Sequence, residues 1–147
     1  KIIKNLFGTV SGKKVTILGW AFKKDTNDSR ESSAIYIADK LIEEEAEIAI
    51  YDPKVSSLQI QNDIDNLNSR EAGRNKSLLS VYNNPYDACN NSHAIILITD
   101  WDEFLEYDWN KIYNDTIKPA TIFDGRNFLD RNKLTSIGFN YFGIGIN

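Results

Sequence analysis

The stretch from Leu18 to Ser33 reads LGWAFKKDTNDSRESS and joins a hydrophobic strand to a helix through a loop with three cations, Lys23, Lys24 and Arg30. In open α/β sheets, the loop between a strand and the next helix is a common site for phosphorylated ligands. Trp20 to Lys23 stand where a dinucleotide fold has its G-x-G-x-x-G motif. We therefore expect a nucleotide-binding domain that holds its ligand with side chains more than with bare backbone, unlike an ordinary NAD-binding domain.

The residues on either side of this loop predict a strand, a helix and a second strand. Lys14 to Gly19 (KVTILG) is a β-rich apolar run, and Glu47 to Tyr51 (EIAIY) is another. Between them, Ser32 to Glu44 has apolar residues at helical spacing, and either Ser29 or Ser32 is a candidate N-cap. A strand-helix-strand unit of this kind implies a right-handed parallel crossover.

The rest of the chain alternates between short strands and helices. Ala94 to Ile98 (AIILI) is apolar throughout, which predicts a central strand buried on both faces, and Gly138 is expected to end the last helix. We expect further strands at 78–82, 121–124 and 141–144, one helix within 54–76, and helices or helical turns at 85–91, 102–105, 109–113 and 130–137. The sequence therefore predicts an α/β fold: a doubly wound, mostly parallel, Rossmann-like sheet with helices on both faces.

Composition excludes several classes of function. The 147 residues suit one domain, and 17 cations against 21 anions give a net charge of −4, which argues against nucleic-acid binding. The longest apolar run, Ala94 to Ile98, is too short to cross a membrane. The single cysteine, Cys89, excludes an internal disulfide and favours a reducing, cytoplasmic location. The chain has no methionine and begins KIIKNLFGTV, so we expect a piece of a longer protein.

Several chemically capable side chains are expected to be structural. Cys89 has no cation or histidine at activating spacing, and His93, the only histidine, has no second metal-ligating partner nearby. Asp102, Glu103 and Glu106 read as the start or one face of a helix, and not as an acid/base pair. We expect no metal site and no nucleophile in this chain.

Three predicted strands end in polar or charged residues. These are the cationic loop after the first strand, Thr99-Asp100 after the central strand, and Asp124-Gly125-Arg126 after the next. Because lysine and arginine bind diphosphates through charge-assisted hydrogen bonds, the two cationic ends suit such a group. We expect Gly125 to let the backbone approach a ligand closely. Arg126 either contacts the ligand or forms an ion pair with Asp124 or Asp130. Phe22 either stacks on a base or ribose or anchors its loop in the core.

Four segments in this order resemble the carboxy-terminal domain of the UDP-glucose 6-dehydrogenase family. They are ILGWAFKKDTNDSRESSAIYIADKL, IAIYDPKV, NPYDACNNSHAIILITDWDEF and KPATIFDGRNFLD. The resemblance is weakest between residues 56 and 76. It implies that residues 1–10 are the end of a linking helix and its lead-in, and that 11–147 form the UDP-sugar-binding domain. Trp20 departs from the phenylalanine or leucine usual in the family, and we expect this to alter packing only.

The resemblance also implies roles for individual residues. In the family, Phe22, Lys23 and Arg126 would contact the UDP-sugar, and Arg30 would reach NAD, which is held mainly by an amino-terminal domain. The whole enzyme oxidises UDP-glucose to UDP-glucuronate in two hydride transfers through a cysteine thioester. The catalytic cysteine precedes Lys1, so this chain alone should be inactive. The implied partners are UDP-glucose, NAD, the amino-terminal domain and further copies in a homo-oligomer.

Two alternatives remain open from the residues. The chain could be a stand-alone, flavodoxin-like binding or regulatory module. It could also belong to a dehydrogenase of another UDP-sugar, since the sugar pocket lies outside it.

Overall fold

A computed structural model describes residues 9–30, 32–67 and 77–143, and within them six strands form one parallel sheet. The strand order is β3-β2-β1-β4-β5-β6, and every neighbouring pair is parallel. The strands are β1 (Lys14–Leu18), β2 (Glu47–Tyr51), β3 (Leu79–Val81), β4 (Ala94–Leu97), β5 (Thr121–Asp124) and β6 (Asn140–Gly143). The predicted α/β fold is confirmed.

The helices follow the predicted order with small changes at their ends. They are α1 (Ser33–Glu43), α2 (Ser57–Leu67), α3 (Pro85–Cys89), α4 (Trp109–Asp115) and α5 (Arg131–Ile137), with a 3₁₀ helix at Asp102–Glu106. Helix α3 ends two residues earlier than predicted because Asn90 is extended and Asn91 has a positive φ of 60°. Residues 68–76, the end of the predicted 54–76 segment, and residues 1–8 lie outside the described residues. Residue 144, the predicted end of the last strand, does so too.

The strand order reverses direction between β1 and β4. The chain moves from β1 to β2 to β3 on one side and from β4 to β5 to β6 on the other. Right-handed crossovers then place α1 and α2 on one face of the sheet and α4 and α5 on the opposite face. Helix α3 lies on the face that carries Thr16, because the Thr16 hydroxyl donates to the Ala88 carbonyl at 2.7 Å. The carboxyl ends of β1 and β4 therefore flank the crevice where open α/β sheets bind ligands.

The core follows the predicted pattern of apolar residues. The two central strands are buried on both faces, and α1 buries the predicted stripe of Ala34, Ile35, Ala38, Leu41 and Ile42. Ser32 is the N-cap of α1, because its hydroxyl accepts from the Ala34 N–H at 3.2 Å. Gly138, with a φ of 132°, ends α5 as predicted. Across the described ranges, no helix combines the length and apolar character that crossing a membrane requires.

Candidate functional site

The ends of β1 and β4 touch through their backbones at Gly19. This residue has a φ of +95°, and a Cβ on it would lie 2.5 Å from the Thr99 Cβ. The Thr99 hydroxyl then donates to the Ala21 carbonyl at 2.6 Å. A side chain at position 19 would push the two strand ends apart, so glycine fixes where the loop after β1 begins.

The loop from residue 20 to 30, here called the β1 loop, closes on itself. The Phe22 N–H donates to the Asp28 carbonyl at 2.9 Å, and Asp25 has the positive φ of 63° that the turn between them needs. The Phe22 ring is 38% exposed and the Lys23 ammonium lies 5.5 Å from its centroid. Because the ring faces solvent beside a cation, it is not a core anchor, and it can receive a planar group.

Arg126 connects the β1 loop to the ends of β4 and β5. Its Nε donates to the Ile98 carbonyl at 2.7 Å, and its Nη2 donates to the Phe22 carbonyl at 2.8 Å. Within the described residues, these side-chain hydrogen bonds go to backbone oxygens and not to Asp124 or Asp130. The structure therefore brings Phe22, Lys23 and Arg126 together at one edge of the sheet.

The three cations of the β1 loop are not equivalent. Arg30 binds Asp28 through two nitrogens, at 3.0 and 2.8 Å, and its hydrogen bonds lower the pKa of Asp28 to about 2. The Arg30 side chain is nevertheless 87% exposed. Lys24 lies 3.5 Å from the Asp102 carboxylate. Lys23 is the loop cation that stands beside the exposed Phe22 ring, whereas Lys24 and Arg30 both contact carboxylates.

A buried carboxylate that sequence reasoning missed, Asp52, holds the start of the β1 loop. Its Oδ2 accepts from the Trp20 N–H at 2.6 Å, the Ala21 N–H at 3.0 Å and the Trp101 indole at 3.2 Å. Its Oδ1 accepts from two backbone N–H groups of its own turn. In the sequence, Asp52-Pro53 indicates a turn after β2, and no local pattern indicates that the Asp52 side chain binds another loop.

Asp124 holds the loop after β5, residues 124–129, which we call the β5 loop. Its carboxylate accepts from the backbone N–H groups of Arg126, Phe128 and Leu129 and from the Tyr141 hydroxyl. Burial and this hydrogen bond raise the pKa of Tyr141. A Cβ on Gly125 would lie 2.8 Å from the Leu97 carbonyl. The glycine therefore allows close approach of the neighbouring strand end. The expectation that it also lets a ligand approach the backbone stays a prediction.

Comparison with known protein families decides the family. Residues 16–131 match the family model described as the UDP-glucose/GDP-mannose dehydrogenase family, UDP binding domain. The chain belongs to this family. The match includes the end of β1, its loop, the end of β4 and the β5 loop, which are the parts that form the site.

Individual members of the UDP-glucose/GDP-mannose dehydrogenase family agree with this assignment. The chain is 48% identical over 145 residues to UDP-glucose 6-dehydrogenase of Caenorhabditis elegans and 47% identical over 147 residues to that of Pongo abelii. Each match covers 99% of this chain but only 30% of the relative, so the chain spans about a third of those proteins. These relatives are oxidoreductases by name, and the chain corresponds to one part of them.

Solved structures of related enzymes share the fold. A UDP-glucose dehydrogenase from Pyrobaculum islandicum superposes with a TM-score of 0.71 at 21% identity, over 99% of this chain and 28% of that one. A UDP-D-ManNAc dehydrogenase from Pyrococcus horikoshii gives 0.72 at 23% identity, over 98% and 29%. At these identities the comparison concerns the fold alone.

The side chains expected to be structural in this UDP binding domain are in structural positions. Cys89 is buried, and burial raises its pKa to about 12, so its thiol is not an activated nucleophile. His93 Nδ1 accepts from the Lys14 N–H at 3.1 Å. Glu103 accepts from the Tyr51 hydroxyl at 3.0 Å and also from that of Tyr107. No cluster of metal ligands occurs in the part of the chain that the structure describes.

Proposed function

We propose that this chain is the UDP-binding domain of an NAD-dependent UDP-glucose 6-dehydrogenase. The proposal is supported by the family match and by curated relatives that are named for this activity. The geometric observation that carries it is the Arg126 guanidinium, which joins the β5 loop to the Phe22 carbonyl of the β1 loop. One crevice edge thereby presents two cations from different strands.

These two cations suit the diphosphate of UDP-glucose. A guanidinium has more N–H groups than the two that Arg126 uses for carbonyls, so it can donate to phosphate without leaving the loops it joins. Lys23, the residue after Phe22, adds a mobile ammonium. The Phe22 ring, exposed beside it, would contact the uridine or sugar portion. Charge-assisted hydrogen bonds of this kind contribute roughly 1.5–3 kcal/mol each.

Arg30 would contact NAD, the hydride acceptor of the whole enzyme. Its guanidinium is 87% exposed, so it is accessible to a group held by another domain. In the parent enzyme, residues 1–10 would end the linking helix and 11–147 would form the UDP-sugar-binding unit. We place this parent, a homo-oligomer, in the cytoplasm, where UDP-glucose would be converted to UDP-glucuronate.

Amide NMR during a titration of the chain with UDP-glucose tests the binding role. We expect weak binding, about 4–8 kcal/mol or millimolar to micromolar, because half of the cleft belongs to the amino-terminal domain. The amides of 22–30 and 125–126 should shift. Shifts confined to other parts of the sheet, or no shifts, would contradict the proposal.

The chain alone should not oxidise the sugar. With UDP-glucose and NAD present, no NADH should accumulate, because in the proposed enzyme the amino-terminal part would supply the catalytic cysteine. The parent enzyme assayed in parallel supplies the positive control. Turnover by the isolated chain would show that this assignment of the nucleophile is wrong.

A further inference from the structure

A second carboxylate, Asp63 of helix α2, binds both ends of the β1 loop. Its Oδ2 accepts from the Trp20 indole N–H at 2.9 Å and from the Ser29 hydroxyl at 2.6 Å. Its Oδ1 accepts from the Gln59 side-chain amide at 2.7 Å. The Trp20 and Ser29 side chains are both buried. The stems of a loop that carries Phe22 and Lys23 therefore meet at one carboxylate from a neighbouring helix.

Trp20 does more than the expected change in packing. A phenylalanine at this position would fill the core without a donor, whereas a buried indole N–H needs an acceptor. Asp63 supplies that acceptor across 43 positions of sequence, and Ser29 reaches the same oxygen across 34. The side chain at position 20 thus links the β1 loop to α2.

An ionised carboxylate suits this contact. Asp63 receives donors on both oxygens, and an ionised carboxylate accepts without donating. An asparagine has one acceptor oxygen for Trp20 and Ser29, and its hydrogen bonds to them are neutral and weaker than those of a carboxylate. Its amide would face Gln59, whose own amide would have to turn over to accept from it. The Asp63→Asn substitution therefore keeps the size of the side chain while it weakens the contact.

Between the two stems, the loop closes through the Phe22 N–H to Asp28 carbonyl bond. The Phe22 carbonyl is the group that Arg126 binds on the other side. Ordering the stems therefore orders the segment that carries Phe22, whose carbonyl Arg126 binds, and the adjacent Lys23. A loop that is already ordered loses less conformational entropy when a ligand binds.

We propose that Asp63 is a positioning residue for the UDP-sugar site: it orders the β1 loop and so raises its affinity for a diphosphate ligand. This inference rests on the proposed function. Helix α2 then supports ligand binding through the β1 loop, without contacting the ligand itself.

The direction in which Asp63→Asn changes the affinity for UDP distinguishes a positioning role from a purely electrostatic one. Asp63→Asn removes a negative charge beneath a cationic loop, which by Coulomb attraction alone would strengthen binding of an anion. Positioning predicts weaker binding instead. Glu106→Gln, an exposed carboxylate at the end of the 3₁₀ helix, is the matched control for loss of one charge.

The test measures UDP affinity of the 147-residue chain by calorimetry and records its amide NMR spectrum without ligand. For Asp63→Asn we expect the Kd for UDP to rise roughly tenfold, with shifted Phe22 and Lys23 amides before any ligand is added. Glu106→Gln should keep the Kd within about twofold of the unmodified chain. Ser29→Ala, which removes one donor and leaves the Trp20 bond, should raise the Kd by about threefold and serves if Asp63→Asn does not fold.

The possible failures are distinguishable. An unmodified chain that does not bind UDP contradicts the proposed function, and the inference falls with it. An unmodified chain that binds UDP, while folded Asp63→Asn or Ser29→Ala binds it equally well or more tightly, overturns the positioning role alone.

Discussion

Carboxylates accept hydrogen bonds from both loops that form the site, but they lie at different sequence distances from the groups they bind. In the β5 loop, Asp124 accepts from N–H groups two to five positions further along its own loop. In the β1 loop, the accepting carboxylates are Asp52, directly after β2, and Asp63, on α2, which lie 31 to 43 positions away. The carboxylate that orders the backbone of the β5 loop thus belongs to that loop. The β1 loop has a conformation that depends on the neighbouring strand-helix unit.

Among the variants that distinguish the two loops, Asp52→Ala is expected to lower stability most. The substitution leaves buried N–H groups of Trp20, Ala21 and Trp101 without their acceptor. We expect the free energy of unfolding to fall by about 4 kcal/mol, because each unsatisfied buried donor costs roughly 1–3 kcal/mol. Urea denaturation measures the change.

Asp124→Ala is the comparison for that variant. It should cost about 3 kcal/mol, and the Trp20 and Ala21 amide shifts should stay unchanged because the damage is local. Equal disturbance of the β1 loop by both variants would contradict the difference between the two loops.

The next largest difference is expected between the stability costs of alanine at Gly19, after β1, and at Gly125, after β5. An alanine at Gly19 would meet Thr99 at 2.5 Å in a backbone conformation with φ +95°, whereas at Gly125 it would meet one carbonyl at 2.8 Å without a positive φ. We expect Gly19→Ala to destabilise by about 3 kcal/mol and Gly125→Ala by about 1–2 kcal/mol. Gly12→Ala, with a φ of +74° and no neighbour within 4 Å, isolates the conformational cost. Thermal unfolding would show the order, and a reversed order would contradict the tight contact at β1.

Arg126 is where the two loops meet, and its replacement tests their coupling. Arg126→Ala should weaken UDP binding by roughly tenfold or more, because it removes a phosphate donor and releases the Phe22 carbonyl. Arg126→Lys should restore little of the UDP affinity that Arg126→Ala loses, since a single ammonium does not reproduce a planar guanidinium that donates to two carbonyls. Calorimetry gives the affinities, and the Phe22 amide shift reports the loop. Full rescue by lysine would mean that charge alone matters.

The distinction between local and distant partners explains how much could be predicted from sequence. Helix α1 and the Asp124-Gly125-Arg126 strand end were predicted because periodicity or a few adjacent residues determine them. Ser32 was one of two candidate N-caps. The carboxylate anchors were missed because Asp52 reads as a turn and Asp63 as one polar residue of a weakly patterned helix. The Arg126 partners were also missed, since they are two backbone carbonyls in distant segments and leave no pattern in side-chain identity.

The smallest effect concerns the exposed Asp28–Arg30 pair. Because the Arg30 hydrogen bonds lower the pKa of Asp28 from 3.8 to about 2, the folded state holds this carboxylate ionised more strongly than the unfolded state does. The contribution is therefore complete above pH 3.8 and is lost as the pH falls towards about 2. Unfolding free energies of the unmodified chain and Asp28→Asn should converge across that window. A constant difference would show that the pair does not contribute in this way.

The central claim is that cations from two strand ends grip a diphosphate, and comparing UDP with uridine tests it most directly. Calorimetry of the 147-residue chain at low ionic strength should give a Kd for UDP at least about tenfold below that for uridine, with the preference shrinking as salt is added. Equal affinities for UDP and uridine, unaffected by salt, would contradict the account.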